Sequence, residues 1–204
     1  MGKLTRKILG NVAGAVGDIT FSDWNGQTII KAKSEGSKSA PTPAQLFVRE
    51  KFKAMTGLAN AFTQVIPLGL DGKAEGITSH NVFRKLNYPT ISGTAGALVV
   101  DNAGIVVSRG KLEGLNSIAL TSAGQNITVN WNHGGYGVGT DKVTVVAYNP
   151  VLKQTSVNTA SIRSGGTSAL TVPAMWATQQ VFVYIFTDNG DTTSTSQYVG
   201  SVTV

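Results

Sequence analysis

Apolar and polar positions alternate most regularly from residue 115 to the end of the chain. Short alternating runs separated by Gly, Asn and Asp are typical of strands that bury one face. The pattern predicts seven strands, at residues 117–120, 126–132, 142–148, 156–162, 168–172, 180–187 and 196–204. Seven short strands at this spacing favour an immunoglobulin-like or fibronectin III-like β-sandwich over residues 115–204.

Two of these strands carry additional information. Ile127, Val129 and Trp131 share one face of the second strand, which predicts a buried tryptophan there. The strand at 180–187 is apolar on both faces, so its second face needs a cover, either residues 1–110 or a neighbouring subunit. The three aromatic residues of that second face are predicted interface residues: Phe182, Tyr184 and Phe186.

The N-terminal region has a different pattern. Residues 19–24 and 27–31 flank Asn25-Gly26, the strongest two-residue signal for a β-hairpin turn. A lone hairpin is barely stable in water, so this one is expected to pack on something, with Trp24 as a contact residue.

A helix is predicted from residue 42 to about residue 66. Thr42 suits the N-cap, Pro43 the first helical position and Gln45 a capping box, while Pro67 is expected to end the helix. Six apolar residues recur on one face at helical spacing: Val48, Phe52, Met55, Ala59, Phe62 and Ile66. Leu46 lies off that face and is either exposed or part of a second contact.

Between the long helix and the sandwich, a Gly-rich turn over residues 67–78 precedes a short helix near 79–86 and strands at 97–100 and 105–108. The expected fold is therefore mainly β with one long helix (α+β). We expect an N-terminal hairpin-plus-helix assembly region over 1–114 and an Ig/fibronectin III-like sandwich over 115–204.

Charge is low and uneven. Charged residues make up 14% of the chain, well under the usual quarter. A surface so poor in charge disfavours a free, highly soluble monomer, so we expect neighbouring subunits to cover part of it. Residues 1–53 hold nine Lys or Arg against four acids, which is +5 of the total +6. Non-specific contact with nucleic acid through this segment is one hypothesis, and a solvated arm is the alternative. The predicted polyanion contacts are Lys3, Arg6, Lys7, Lys31, Lys33, Arg49 and Lys53.

Candidate catalytic and metal motifs are incomplete. Residues 134–140 are Gly-rich, but the next residues read as a strand rather than the helix that a phosphate loop requires. Residues 188–191 resemble part of a calcium loop without its downstream Glu, and a strand-joining turn explains them better. The histidines, His80 and His133, have no metal-ligand spacing, and there are no cysteines. We therefore predict no catalytic residue, no metal and no cofactor, and keep a hydrolase as a minor alternative.

Targeting signals are weak. Lys3, Arg6 and Lys7 precede an apolar run that Asn11 and several glycines interrupt, which argues against a classical signal peptide. No run approaches the ~20 apolar residues that span a bilayer. We expect synthesis in the cytoplasm and no membrane span.

Several segments together resemble a Bacteroidota family of unknown function. They are 14–17, Trp24-Asn25-Gly26, 31–33, the Thr-Pro-Ala-Gln-Leu run at 42–46 with 49–52, 107–112, 148–150 and 198–202. The run at 42–46 with its following basic helix is the most specific part. The resemblance implies the two-part layout and no activity.

Low charge, the missing motifs and the surplus apolar face predict a non-enzymatic, self-assembling structural protein. The more specific hypothesis is a phage or prophage virion protein, a subunit of the capsid or tail. Its partners would then be copies of itself and other virion proteins. The alternative is a surface or adhesive binding module of a bacterial cell, which contacts its ligand through the sandwich loops.

Overall fold

The computed structural model describes residues 2–3, 13–24, 27–34, 40–70, 77–133 and 137–204. Over this part of the chain the protein is mainly β, with a few helices. It forms two compact units, Met1–Thr42 and Pro43–Val204. None of the described helices is long and apolar enough to cross a bilayer.

The first unit is a four-stranded antiparallel sheet. Its strands are β1 (Gly2–Lys3), β2 (Gly14–Val16), β3 (Ile19–Trp24) and β4 (Gln27–Ala32), in the order β1-β4-β3-β2. The predicted hairpin forms the centre as β3 and β4, and its turn at residues 25–26 lies outside the described residues. The flanking strands β1 and β2 were not predicted, because each is too short for alternation to show.

The second unit begins with helices α1 (Pro43–Ala61), α2 (Ile66–Gly69) and α3 (Ser79–Asn87). Helix α1 ends five residues before the predicted end at 66. Thr63 donates its hydroxyl hydrogen to the carbonyl of Asn60, and its amide bonds the same carbonyl, which tightens the chain into a turn. Pro67 lies in the first turn of α2, where a residue without an N–H is tolerated.

A hairpin of β5 (Ile91–Thr94) and β6 (Ala97–Val100) follows α3. The prediction of a strand at 105–108 is wrong, because this segment does not pair with any β-strand. Its backbone is paired by side chains instead. Buried Asn87 exchanges two hydrogen bonds with the backbone of Val106, at 2.7 and 2.8 Å, and Ser196 accepts from the amide of Val107. A side-chain amide has the same donor and acceptor as a peptide group, so it can replace a strand partner.

Seven further strands form two antiparallel sheets. The three-stranded sheet has the order β11-β8-β7, and the four-stranded sheet has the order β10-β9-β12-β13. Every strand predicted after residue 115 is present, with ends that differ by up to three residues. They are β7 (Asn116–Ala123), β8 (Asn126–Asn132), β9 (Lys142–Asn149), β10 (Gln154–Ile162), β11 (Thr167–Thr171), β12 (Gln180–Asp188) and β13 (Gln197–Thr203).

The second unit packs as three layers around two buried cores. One core lies between the two sheets and holds Ile127, Val129 and Trp131 of β8 against inward residues of β9 and β12. The other lies on the outer face of the four-stranded sheet, under α1, α2, α3 and the 105–107 segment. Because helices and sheets share this second core, the predicted boundary after residue 114 falls inside the second unit.

Candidate functional site

The N-terminal half of α1 leaves an apolar surface uncovered. Met55, Leu58 and Ala59 in its C-terminal half are buried in the core under the helices. In the N-terminal half Leu46, Val48 and Phe52 are 49, 53 and 56% exposed. Val48 and Phe52 are four residues apart and share one face of the helix, and we call these two residues the helix stripe; Leu46 is exposed on a different side of α1. Val48 and Phe52 were predicted on the buried face, so the helix extends past the core that was expected to cover it.

The helix stripe is held by polar and aromatic contacts around it. The carboxylate of Glu50 accepts a hydrogen bond from the amide of Gly96, at the tip of the β5–β6 hairpin. The ammonium group of Lys51 lies 4.1 Å above the centre of the Tyr88 ring. These contacts fix the exposed half of α1 in place, so the apolar surface is preorganised.

The N-terminal sheet, considered by itself, has one apolar face. Strand register pairs Val16 with Ile19, Ile19 with Ala32, and Phe21 with Ile30, which puts all five on the same side. Val16 is 66% and Ile19 45% exposed, while Phe21 and Ile30 are half-buried. Within the described part of the chain, neither buried core takes a residue from this sheet. We call this side the sheet face.

The aromatic residues predicted at an interface lie elsewhere. Tyr184 and Phe186 are buried beneath the helices of the same chain, and Phe182 is partly buried beside them. The second face of this strand was expected to be covered either by residues 1–110 or by a neighbouring subunit. At Tyr184 and Phe186 the cover comes from the helices of the same chain. The side chain of Trp24 lies outside the described residues, and Leu46 is exposed on α1, on a different side from the helix stripe.

Burial also sets the chemistry of the tyrosines under the helices. The Tyr184 hydroxyl donates to the carbonyl of Asn102. Desolvation raises the pKa of Tyr184 above its usual range, and the neighbouring tyrosines and Asp101 add to the rise. Burial alone raises the pKa of Tyr148 to about 12. Both phenols are therefore neutral structural groups rather than acids or bases near neutral pH.

The predicted polyanion contacts divide between the two units. Lys31 and Lys33 are exposed in the first unit, and Arg49 and Lys53 are exposed on α1. The side chains of Lys3, Arg6 and Lys7 lie outside the described residues. Their part in binding polyanions stays a prediction.

The remaining candidates show no assembled reactive centre in the described residues. Two side chains of the turn at 188–191 bond the turn's own backbone, because Asp188 accepts from the amide of Gly190 and Asn189 from the amides of Asp191 and Thr192. No group of three or more His, Asp or Glu able to hold a metal occurs among the residues that the structure describes. His80 lies near the start of α3 and His133 just after β8.

A buried ion pair, which sequence reasoning missed, closes one end of the two sheets. The guanidinium of Arg163, fully buried, lies 3.1 Å from the carboxylate of Asp141. It also donates to the carbonyls of Glu113 and Gly114 and to the hydroxyl of Thr187. A single arginine gives no periodic signal, so only the fold reveals this contact.

The described residues thus define a mainly β protein with exposed large apolar side chains on α1 and on the N-terminal sheet. Its sequence matches the model of a family of unknown function, DUF6266, over residues 11–200, and the protein belongs to that family. No curated protein and no solved structure matches the chain. The predicted membership of a family of unknown function is confirmed.

Proposed function

We propose that this protein is a non-enzymatic structural subunit that assembles with copies of itself. The observation that carries the proposal is the helix stripe, where Val48 and Phe52 are about half exposed on one face of a fixed helix. Full burial of a large apolar side chain stabilises by about 1.5–3 kcal/mol, so each half-exposed side chain forgoes roughly half of that. A second copy of the chain is the occupant that we propose for this surface.

The surface of the second copy that fits the helix stripe is its sheet face. A small sheet without a buried core is marginal in water, so the sheet face also gains from a cover. Contact between the helix stripe of one copy and the sheet face of the next is heterologous. Repeated along the assembly, such a contact gives a ring if the rotation closes and a filament if it does not.

The strand order supports a finer proposal for residues 115–204, a fibronectin III-like sandwich. In the constant-type immunoglobulin domain the fourth strand pairs with the fifth in the four-stranded sheet. Here the fourth strand, β10, pairs with the third, β9, and leaves a three-stranded sheet opposite. Together with the low charge, this strand order supports a sandwich that packs laterally against neighbouring subunits. The specific protein of this kind that we propose is a capsid or tail subunit of a phage or prophage.

Sedimentation of the full chain over a wide concentration range tests the assembly. We expect mass to rise with concentration, and Phe52→Ser to weaken association by at least about tenfold, because aromatic anchors dominate such contacts. Met175→Ser is the matched control, since Met175 is 61% exposed but lies outside both apolar surfaces. A wild-type chain that stays monomeric throughout would contradict the proposal and favour the adhesive-module alternative.

A mixing experiment tests the head-to-tail geometry. Phe52→Ser chains keep an intact sheet face, and Ile19→Ser chains keep an intact helix stripe. An equimolar mixture therefore retains one intact contact per pair and is expected to stop at dimers. Recovery of long assemblies on mixing, or no association at all, would exclude this geometry.

A further inference from the structure

The strand β6 of the β5–β6 hairpin has a free edge. The hairpin forms a sheet of its own, in which β6 pairs with β5 alone. Leu98 and Val100 pack against the core under the helices, while Ala97 and Val99 face away from it, and Val99 is 62% exposed. Among the described residues, none outside β5 hydrogen-bonds the backbone of Leu98 or Val100.

The hydrogen-bond register of the hairpin shows which backbone groups of β6 point outward. The amide of Asp101 donates to the carbonyl of Thr90, on the chain that leads into β5, at 2.8 Å. Successive residues of an antiparallel strand alternate between bonding one neighbour and the other, so Val99 bonds β5 as Asp101 bonds Thr90. Leu98 and Val100 therefore direct their N–H and C=O groups to the free edge.

The free edge of β6 lacks the features that keep strand edges from pairing. Such edges are usually protected by charged residues, Pro, a bulge or a covering segment. The sequence of β6, Ala-Leu-Val-Val, has no charge and no Pro, and its register with β5 has no bulge. The outer edge of β5 differs, because Ile91 is fully buried and Gly93 has a φ angle of 110°, in the left-handed region. The β6 edge therefore favours the addition of a further strand.

We propose that β6 pairs with β6 of a second copy of the chain, antiparallel, around a twofold axis at Val99. In that register Leu98 lies opposite Val100 of the second copy, and each such pair exchanges two N–H···O bonds. The two Val99 side chains meet in a pair without hydrogen bonds, where side chains are closest, and cover each other. Asp101 lies opposite Ala97 of the second copy, so like charges do not oppose each other in the register.

The role of this contact rests on the proposed self-assembly. A pairing of two short strands buries less than the roughly 1,200 Å² at the lower end of stable interfaces, so by itself it is weak. Between chains that are already joined head to tail, many such contacts act together. Because the β6 contact is twofold, it joins two head-to-tail assemblies side by side.

Cysteine cross-linking of the full chain tests the register, because the chain has no cysteine. Across the proposed pair the Cα atoms of the two Val99 residues lie about 4.5 Å apart, within disulfide range, while those of the two Ala97 residues lie about 14 Å apart, beyond it. In a glutathione redox buffer we expect Val99→Cys to form a disulfide-linked dimer. Ala97→Cys, on the same exposed face, is the matched control and is expected to stay reduced. Equal cross-linking of the two variants, or none in Val99→Cys, would overturn the proposal.

Amide hydrogen exchange, read residue by residue in the assembled protein, gives a second measurement. We expect the amides of Leu98 and Val100 to exchange about tenfold faster in Val99→Lys than in the wild type, because an edge lysine opposes strand pairing. Ser92→Lys is the matched control, since Ser92 is exposed and lies opposite Val99 on β5, away from the free edge. Equal exchange rates in the wild type and Val99→Lys would overturn the pairing.

Failure of the β6 contact is distinguishable from failure of the head-to-tail assembly. A wild-type chain that sediments as a monomer contradicts the head-to-tail contact, whereas the Val99→Cys disulfide captures even a weak β6 contact and does not need the helix stripe. A wild-type chain that assembles, together with equal cross-linking of Val99→Cys and Ala97→Cys, overturns β6 pairing and leaves the head-to-tail contact standing.

Discussion

At the scale of single residues, Arg163 is a fully buried charge held by several polar partners. Its guanidinium bonds one carboxylate, two backbone carbonyls and one hydroxyl, all near one end of the sheets. Gly137 approaches it so closely that a Cβ there would lie 2.6 Å from the guanidinium carbon. A buried charge in such a site depends on its partner, because desolvation is costly without it.

We expect Arg163→Met to lower the free energy of unfolding by about 3–5 kcal/mol, because Asp141 is left buried and unpaired. Adding Asp141→Asn in the same chain removes the orphaned charge and should recover part of the loss. Urea unfolding measures both variants, and Arg109→Met is the control, since Arg109 is exposed. A loss below about 1 kcal/mol in Arg163→Met would contradict this account.

At the scale of elements, strands β9 and β12 each serve two cores. Val145 and Val183 face the core between the sheets, while Tyr148 and Tyr184 face the helices. Neighbouring residues of a strand point to opposite faces, so strands covered on both sides read as continuous apolar runs. The phenol groups of Tyr148 and Tyr184 lie in an apolar core, where loss of solvation disfavours the ionised phenolate.

This arrangement predicts a loss of stability in alkaline solution. The pKa of Tyr148 is about 12 in the folded chain and about 10 when unfolded, so only the unfolded state loses the proton as pH rises above 10. The stability that neutral Tyr148 contributes is complete below pH 10 and falls as pH rises towards 12, at up to about 1.4 kcal/mol per pH unit. Urea unfolding between about pH 9 and about pH 11 measures the slope.

Tyr148→Phe should reduce that alkaline slope and leave the contribution of Tyr184. Tyr88→Phe removes a hydroxyl from an exposed ring and is the matched control. An unchanged slope in Tyr148→Phe would show that its phenol does not carry the effect.

At the scale of the whole molecule, the two units differ in how they are stabilised. Both buried cores belong to residues after 43, and the helices share one of them with β9 and β12. The segment before residue 115 is therefore part of what covers the four-stranded sheet. Ser108 strengthens the same link by donating its hydroxyl hydrogen to the carbonyl of Ser194, and the hydroxyl of Ser196 accepts from the amide of Val107.

Two truncations test this division. Residues 43–204 should keep a melting temperature close to that of the full chain, because the first unit supplies no described residue of either core. Residues 115–204 alone would expose Tyr148, Tyr184 and Phe186, and we expect them to melt at least about 10 °C lower or to aggregate. Circular dichroism and light scattering measure both, and a 115–204 fragment as stable as the full chain would support the boundary predicted after residue 114.

Features that repeat along the chain could be predicted from the amino-acid sequence. The strands after residue 115, the β3–β4 hairpin and the start of α1 follow from alternation, from Asn25-Gly26 and from Pro43, all of which act between near neighbours. The folded structure shows what each face meets: the helices over Tyr184, the open helix stripe at Phe52, and the Asn87 bond to Val106. These contacts join residues far apart in sequence through single side chains, and a single residue leaves no period to read.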